Sequence, residues 1–181
     1  GAYRATGNSA FGANSGNVTL ATLAGSIEFS GGITTGNETL ILLAGATGEG
    51  TSGAFRSVRN LDGNNTWLGN ITLGANSRQA FEIAAGSKLT VGSSATAGVL
   101  SGAAGFNKMG AGVLQLAGTA SNTNSVSSLV WEGRLELNKT AGVNALSANT
   151  TVGDYVGGEN VDVLKNLASN QTVDTVTGFL T

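Results

Sequence analysis

The chain reads as an all-β fold wound into a β-solenoid, and three observations point there. Apolar residues alternate with polar ones in short bursts, glycine supplies 29 of the 181 residues, and a similar apolar phrase returns at intervals near 20 residues. Alternation with period 2 turns one face of a strand inward, as with Ile71 and Leu73, Phe81 and Ile83, Leu89 and Val91. Leu20 and Leu40 are 20 apart, Leu116 and Leu137 are 21 apart, and Leu73 and Val91 are 18 apart. Such intervals suit stacked coils, in which each inward side chain sits on its counterpart in the next coil. A sandwich would show hairpin signals between paired strands, and Asp62-Gly63 is the one clear case.

Taken in order, the expected strands are NVTLATLA (17–24), SIEFSG (26–31), ETLILLAG (38–45), NITLGA (70–75) and AFEIAAG (80–86), followed by SKLTVGS (87–93), GVLQLAG (112–118) and SLVWEGRLELNK (128–139). VDVLKNLA (161–168) fits a strand and is also the one segment compatible with a helix. Gly, Asn, Ser and Thr separate these runs, the residues that supply turns and left-handed backbone. With a rise of about 4.8 Å per coil, eight or nine coils make a rod of about 40 Å. The expectation is a single solenoid domain over 1–181, with its most repeat-like core at about 60–145.

Composition narrows the function classes mainly through what is missing. Cysteine, histidine and proline are absent, which removes disulfides, thiol chemistry and most transition-metal sites. Charged residues are 11%, against about 25% in an average soluble domain, and the four lysines and five arginines are scattered. That argues against a nucleic-acid partner, which needs clustered cations. With 40% hydrophobic residues and a net charge of −2 the chain should fold rather than stay disordered. No apolar run approaches the length of a membrane helix, and GAYRATGNSA lacks the regions of a signal peptide.

One pair of segments carries a specific resemblance. In FNKMGAGVLQLAGTASNT (106–123), Lys108, Gly110, Gly112, Leu114, Leu116 and Gly118 form one half of a pattern. In LVWEGRLELNKTAG (129–142), Gly133, Leu135, Leu137 and Asn138 form the other. Together they resemble the autotransporter-associated β-strand repeat of bacterial surface proteins. Met109 stands where Thr is usual, and SNTNSVSSL replaces the common aromatic-glycine turn. The resemblance implies a right-handed parallel β-helix, exported by a bacterium and exposed outside the cell; it implies no reaction.

The candidates for chemistry are few. GEGTSG (48–53) fits G-x-G-x-x-G, but AFRSVRN after it alternates like a strand instead of opening a helix, so a solenoid corner is expected. Glu132 and Glu136 read as lying on one strand face about 13 Å apart, too far for a glycosidase pair. Asp154, Glu159 and Asp162 surround a Gly-Gly loop and form a weak calcium candidate without the spacing of a known calcium loop. Tyr3, Trp67, Trp131 and Tyr155 are the aromatics a sugar platform would use, and each stands without an aromatic neighbour. Lys108 is expected at a solvated corner. Seven Asn-x-Thr triplets begin at Asn17, Asn37, Asn64, Asn70, Asn138, Asn149 and Asn170. They are expected to place Asn at corners, bonding backbone or stacking in ladders, rather than to carry glycans.

No catalytic residue and no cofactor is expected. The first residues, GAYRATGNSAFG, and the last, TVDTVTGFLT, carry little charge and no obvious amphipathic helix to cap the stack. An open stack continues head to tail into a filament. The expected function is an extracellular structural subunit of a cell-surface fibre, with self-association through its ends as the main partner. The alternative is a stalk or adhesin segment of an autotransporter passenger, touching host or matrix surfaces. A polysaccharide-acting enzyme or sugar-binding module stands third.

Overall fold

The computed structural model describes residues 1–12, 16–21, 25–43, 57–74, 78–154, 156–157, 161–172 and 178–180. Its described residues form three parallel sheets and no helix. Sheet A stacks β1 (Ala2–Ala5), β3 (Ser26–Phe29), β5 (Val58–Asn60), β8 (Gln79–Ile83), β11 (Phe106–Met109), β13 (Ser128–Val130), β15 (Thr150–Val152) and β17 (Gly178–Leu180). Sheet B stacks β2 (Asn17–Leu20), β4 (Thr39–Leu42), β7 (Ile71–Leu73) and β10 (Leu100–Gly102). Sheet C stacks β6 (Asn64–Trp67), β9 (Lys88–Val91), β12 (Val113–Gly118), β14 (Gly133–Lys139) and β16 (Asp162–Asn166). A full turn visits A, C and B in that order, which is a parallel β-solenoid.

All nine expected runs contain strands, and 161–168 holds β16 rather than a helix. The expected run 128–139 is two strands, because Gly133 takes φ 74° and turns a corner between Val130 and the leucines. The coils are longer and less even than expected. Successive partners on sheet A, from Ala2↔Ser26 through Ile27↔Val58, Val58↔Phe81, Phe81↔Lys108, Lys108↔Val130 and Val130↔Val152 to Val152↔Leu180, lie 22 to 31 residues apart. Sheet A has eight rungs, C five and B four, so among the described residues only the coils β5–β7 and β8–β10 carry a strand on every wall; the stack makes about five turns of roughly 24 residues, not eight or nine.

The core is a set of stacked columns. On sheet C, Leu89, Leu114, Leu135 and Leu164 follow one another in register, beside Val91, Leu116 and Leu137. Leu116 and Leu137 are therefore the direct neighbours their spacing suggested. Leu20 pairs with Leu42 rather than Leu40, and Leu73 and Val91 lie on different sheets. Each leucine fully buried in such a column contributes roughly 1.5–3 kcal/mol.

Polar groups are stitched between coils, because a buried amide without a partner is costly. Asn60 and Asn65 point inward, with Asn65 Nδ2 donating to Asn60 Oδ1 at 2.7 Å and Asn60 Nδ2 to Ser87 Oγ at 2.9 Å. Asn122 joins three coils: Leu100 N donates to its Oδ1 at 2.9 Å and its Nδ2 donates to Ala145 O at 2.6 Å.

Candidate functional site: the ends of the solenoid

The expected chemical candidates do not assemble into a reactive centre. GEGTSG and Tyr155 lie outside the described residues, and so does Glu159. Asp154 Oδ1 accepts from Val156 N at 2.8 Å, closing a local turn. Burial, with Asp154 and Glu132 nearby, pushes the Asp162 carboxyl above its usual value. Among the described residues no three such groups converge to hold a metal ion. Glu132 sits at a corner rather than on the strand of Glu136, and its Oε2 accepts from Gly110 N at 3.0 Å. Glu136 is buried in β14, paired with Arg134 at 3.0 Å and accepting from Gln115 at 2.9 Å. Both carboxylates serve coil-to-coil bonds.

Lys108 reverses the expectation of a solvated corner. It is fully buried, stacked on sheet A between Phe81 and Val130. Its Nζ donates to the carbonyls of Met109 at 3.0 Å, Gly110 at 2.5 Å and Glu132 at 2.7 Å, binding one corner to the next. Lys139, also buried, donates to Gly98 O at 2.8 Å, Ala117 O at 3.0 Å and Ala97 O at 3.4 Å. Burial pushes Lys108 down to about 8, with Glu132 and Asp162 pulling the other way, and pushes Lys139 down to about 8. Each ammonium fills a nest of carbonyls that corner glycines leave without strand partners.

The triplet asparagines form no ladder. In register, Asn17 faces Thr39, Asn64 faces Lys88 and Asn138 faces Ala117, so none stacks on another. Asn70 follows the expected backbone bonding, its Oδ1 accepting from Val99 N at 2.9 Å. Trp67 is fully buried, Trp131 is half-buried and Tyr3 is exposed, so these three make no shared platform. A groove of about 460 Å³ does run along sheet C, lined by Thr66, Thr90, Ser93, Gln115, Asn138 and Lys139, without an aromatic wall.

The two ends are the surfaces that remain unsatisfied. The N-terminal end is partly plugged. Residues 7–12 turn across it, with Ala10 N donating to Gly7 O and Gly12 N to Ser9 O, both at 3.0 Å. Phe11 packs on Tyr3 at 5.2 Å and edge-on to Trp67 at 5.3 Å, and Tyr3 Oη donates to Ala10 O. Asn8 Oδ1 accepts from Thr34 N at 2.9 Å. Beside this plug, β1 and β2 have strand partners on one side only among the described residues. Between them opens a pocket of about 350 Å³ lined by Tyr3, Phe11, Val18, Leu20 and Ile27.

At the other end β16 and β17 likewise pair on one side only. Leu164, the last rung of its column, is only half-buried, and Val156, Val161 and Leu167 are exposed. Six large apolar side chains are exposed among the described residues, and four of them, Tyr3, Val156, Val161 and Leu167, lie on the terminal coils. Apolar exposure of this kind concentrates where a surface is meant to be covered. Among the described residues no helix is long and apolar enough to cross a membrane.

No protein-family model matches the chain, and no curated protein and no solved structure matches it.

Proposed function

We propose that the chain is an extracellular structural module whose coils stack end to end, one copy on the next, into a cell-surface fibre. The observation that carries this reading is the pairing of open strand edges with exposed apolar residues at both ends, whereas the inner edges of β6 and β10 are met by hydrogen bonds from residues 33–35 and 122–125. The pocket beside β1 and β2 takes apolar side chains from the last coil of the neighbouring copy, Leu167 and Val161 among them. Strand edges left unpaired act as templates for a further strand, and a head-to-tail contact that does not close grows as a filament. The likeness of residues 106–142 to an autotransporter repeat supports export to the cell surface.

The test uses the absence of cysteine, which makes every introduced thiol unique. Val18→Cys and Leu167→Cys chains, mixed and oxidised, should form mixed dimers, while Val126→Cys, exposed in the middle of the rod, should not crosslink to Val18→Cys. Negative-stain images of the parent chain should show filaments many copies long. Short monodisperse rods at high concentration, or equal crosslinking to Val126→Cys, would sink the reading.

A second reading rests on the same ends. In a stalk or adhesin segment of a longer passenger, the open edges continue into further coils of the same polypeptide. A longer chain with flanking coils would then bury Val18 and Leu167 against thiol reagents and stay monomeric. A sugar-binding role would fall to the groove on sheet C.

A further inference from the structure

The Asn-x-Thr triplets are too frequent and too consistently oriented to be a by-product of composition. Seven of the 18 asparagines begin one, whereas chance placement of the 21 threonines would give about two, and no Asn-x-Ser occurs. In every triplet the middle residue turns toward the core: Glu38, Asn65, Ile71, Lys139, Thr150 and Gln171 are buried and Val18 is half-buried. The asparagines of six triplets, Asn17, Asn37, Asn64, Asn138, Asn149 and Asn170, are exposed, and every flanking threonine is exposed or half-buried. The coil therefore presents the carboxamide and the hydroxyl two residues later on its outside.

We propose that these six asparagines are acceptors for N-linked glycans and that Asn70 is not. In the reaction the side-chain Nδ2 bonds to the anomeric carbon of an activated glycosyl donor, a sugar carried on a nucleoside or lipid pyrophosphate. The pyrophosphate leaves with the bonding pair and one amide proton is released. The cell's transferase supplies the catalysis; the chain supplies an accessible amide with a threonine at the required spacing. Asn70 has the same sequence pattern, yet it is half-buried and held by Val99 N across the coil junction, so its amide does not leave the fold. The proposal stands apart from end-to-end stacking, since it concerns the sides of the rod.

The experiment is intact-mass measurement and site-resolved peptide mapping of the protein purified from the cells that make it. Expected are sugar-sized mass increments on the six exposed asparagines, each removed by its own Asn→Gln substitution, with none on Asn70 or on asparagines outside the triplets. Because the six side chains lie outside the core, the substituted chains should stay folded, with Asn170→Gln the one expected to melt lower because Asn170 holds φ 53°, so a lost increment is not a lost fold. A mass equal to the bare polypeptide would overturn the proposal. So would sugar on Asn70 at the occupancy of Asn138, because the folded surface would then not select the acceptors.

Discussion

The two halves of the stack solve one problem in different ways. In the first coils an outward column on sheet A alternates charge in register, Arg4, Glu28, Arg59 and Glu82. Arg4 Nη2 lies 2.9 Å from Glu28 Oε2, Arg59 Nη1 2.9 Å from Glu28 Oε1 and Arg59 Nε 2.7 Å from Glu82 Oε2. In the later coils the cations are inside, Lys108 and Lys139, and their partners are backbone carbonyls. The difference follows coil length. From Ala2 to Phe81 the sheet A intervals are 24, 31 and 23 residues, so corners do not superimpose and only the flat sheet face stays in register. From Lys108 to Val152 they are 22 and 22, so corner sits on corner and carbonyls converge. Equal coils make the internal cation site at Lys108; Lys139 reaches across the 27-residue interval from Phe81 to Lys108 to bond Ala97 and Gly98, and Arg134 keeps an outer pair with Glu136.

The comparison breaks most visibly at Lys108. Lys108→Met keeps the apolar stem but removes the donor from three part-buried corner carbonyls, each loss worth up to about 1–3 kcal/mol. Removing a buried ammonium returns part of that cost, since a pKa lowered from 10.5 to about 8 measures its desolvation. The expected net loss is about 3 kcal/mol, read from the urea midpoint at neutral pH. A neutral substitution would mean that the corners hold without the lysine.

Alkali and acid should separate the two halves. The unfolded chain holds protons on Lys108 and Lys139 up to about 10.5, while in the fold both release them near 8. Between these values the unfolded state binds more protons, so stability rises with pH, by roughly 1–3 kcal/mol for each lysine. The neutral amine still donates to two carbonyls. Glu28 behaves oppositely. Burial pushes its carboxyl up, but hydrogen bonds from Arg4 and Arg59 outweigh that and hold it below its usual value. Its contribution is therefore present above about 4.5 and is lost as pH falls through the folded value. Urea midpoints at pH 7, 9 and 10.5 should increase for the parent chain and stay flat when both lysines are methionine.

What the sequence shows follows from the same division. The nine expected runs all contain strands because their inward residues are apolar, and the 106–139 motif is plainest where coils are equal. Strands over 64–67 and 106–109 escape the alternation rule because Asn65 and Lys108 turn inward, while 58–60 lies in AFRSVRN, which alternates like a strand. Period 2 cannot flag a strand whose core residue is polar and satisfied by a neighbouring coil. The lysines were readable only as charges, and charges read as surface; the Gly-rich corners beside Lys108 were the one signal of a carbonyl nest. The end plug is illegible in the sequence, since Phe11 lies in a segment without alternation and is placed by Tyr3 nearby and by Trp67, from a coil far along the chain.

The smallest expected effect is at Glu28, and it tests whether the outer column is a network or a row of surface pairs. Surface ion pairs contribute about 0–1 kcal/mol, but the Glu28 side chain is only 4% exposed and joins two arginines. Glu28→Gln keeps the shape and one acceptor oxygen while removing the charge that both guanidiniums share. Arg4, 58% exposed, rehydrates readily, and Arg59 keeps Glu82, so the loss should be about 1.5 kcal/mol rather than that of a fully buried pair. The difference from the parent should shrink as pH falls below the carboxylate range, where Glu28 itself becomes neutral. It should also survive added salt, because screening acts weakly on a buried carboxylate. A loss that disappears in salt would make the column a set of independent surface pairs, and the contrast with the internal lysines would then be one of burial alone.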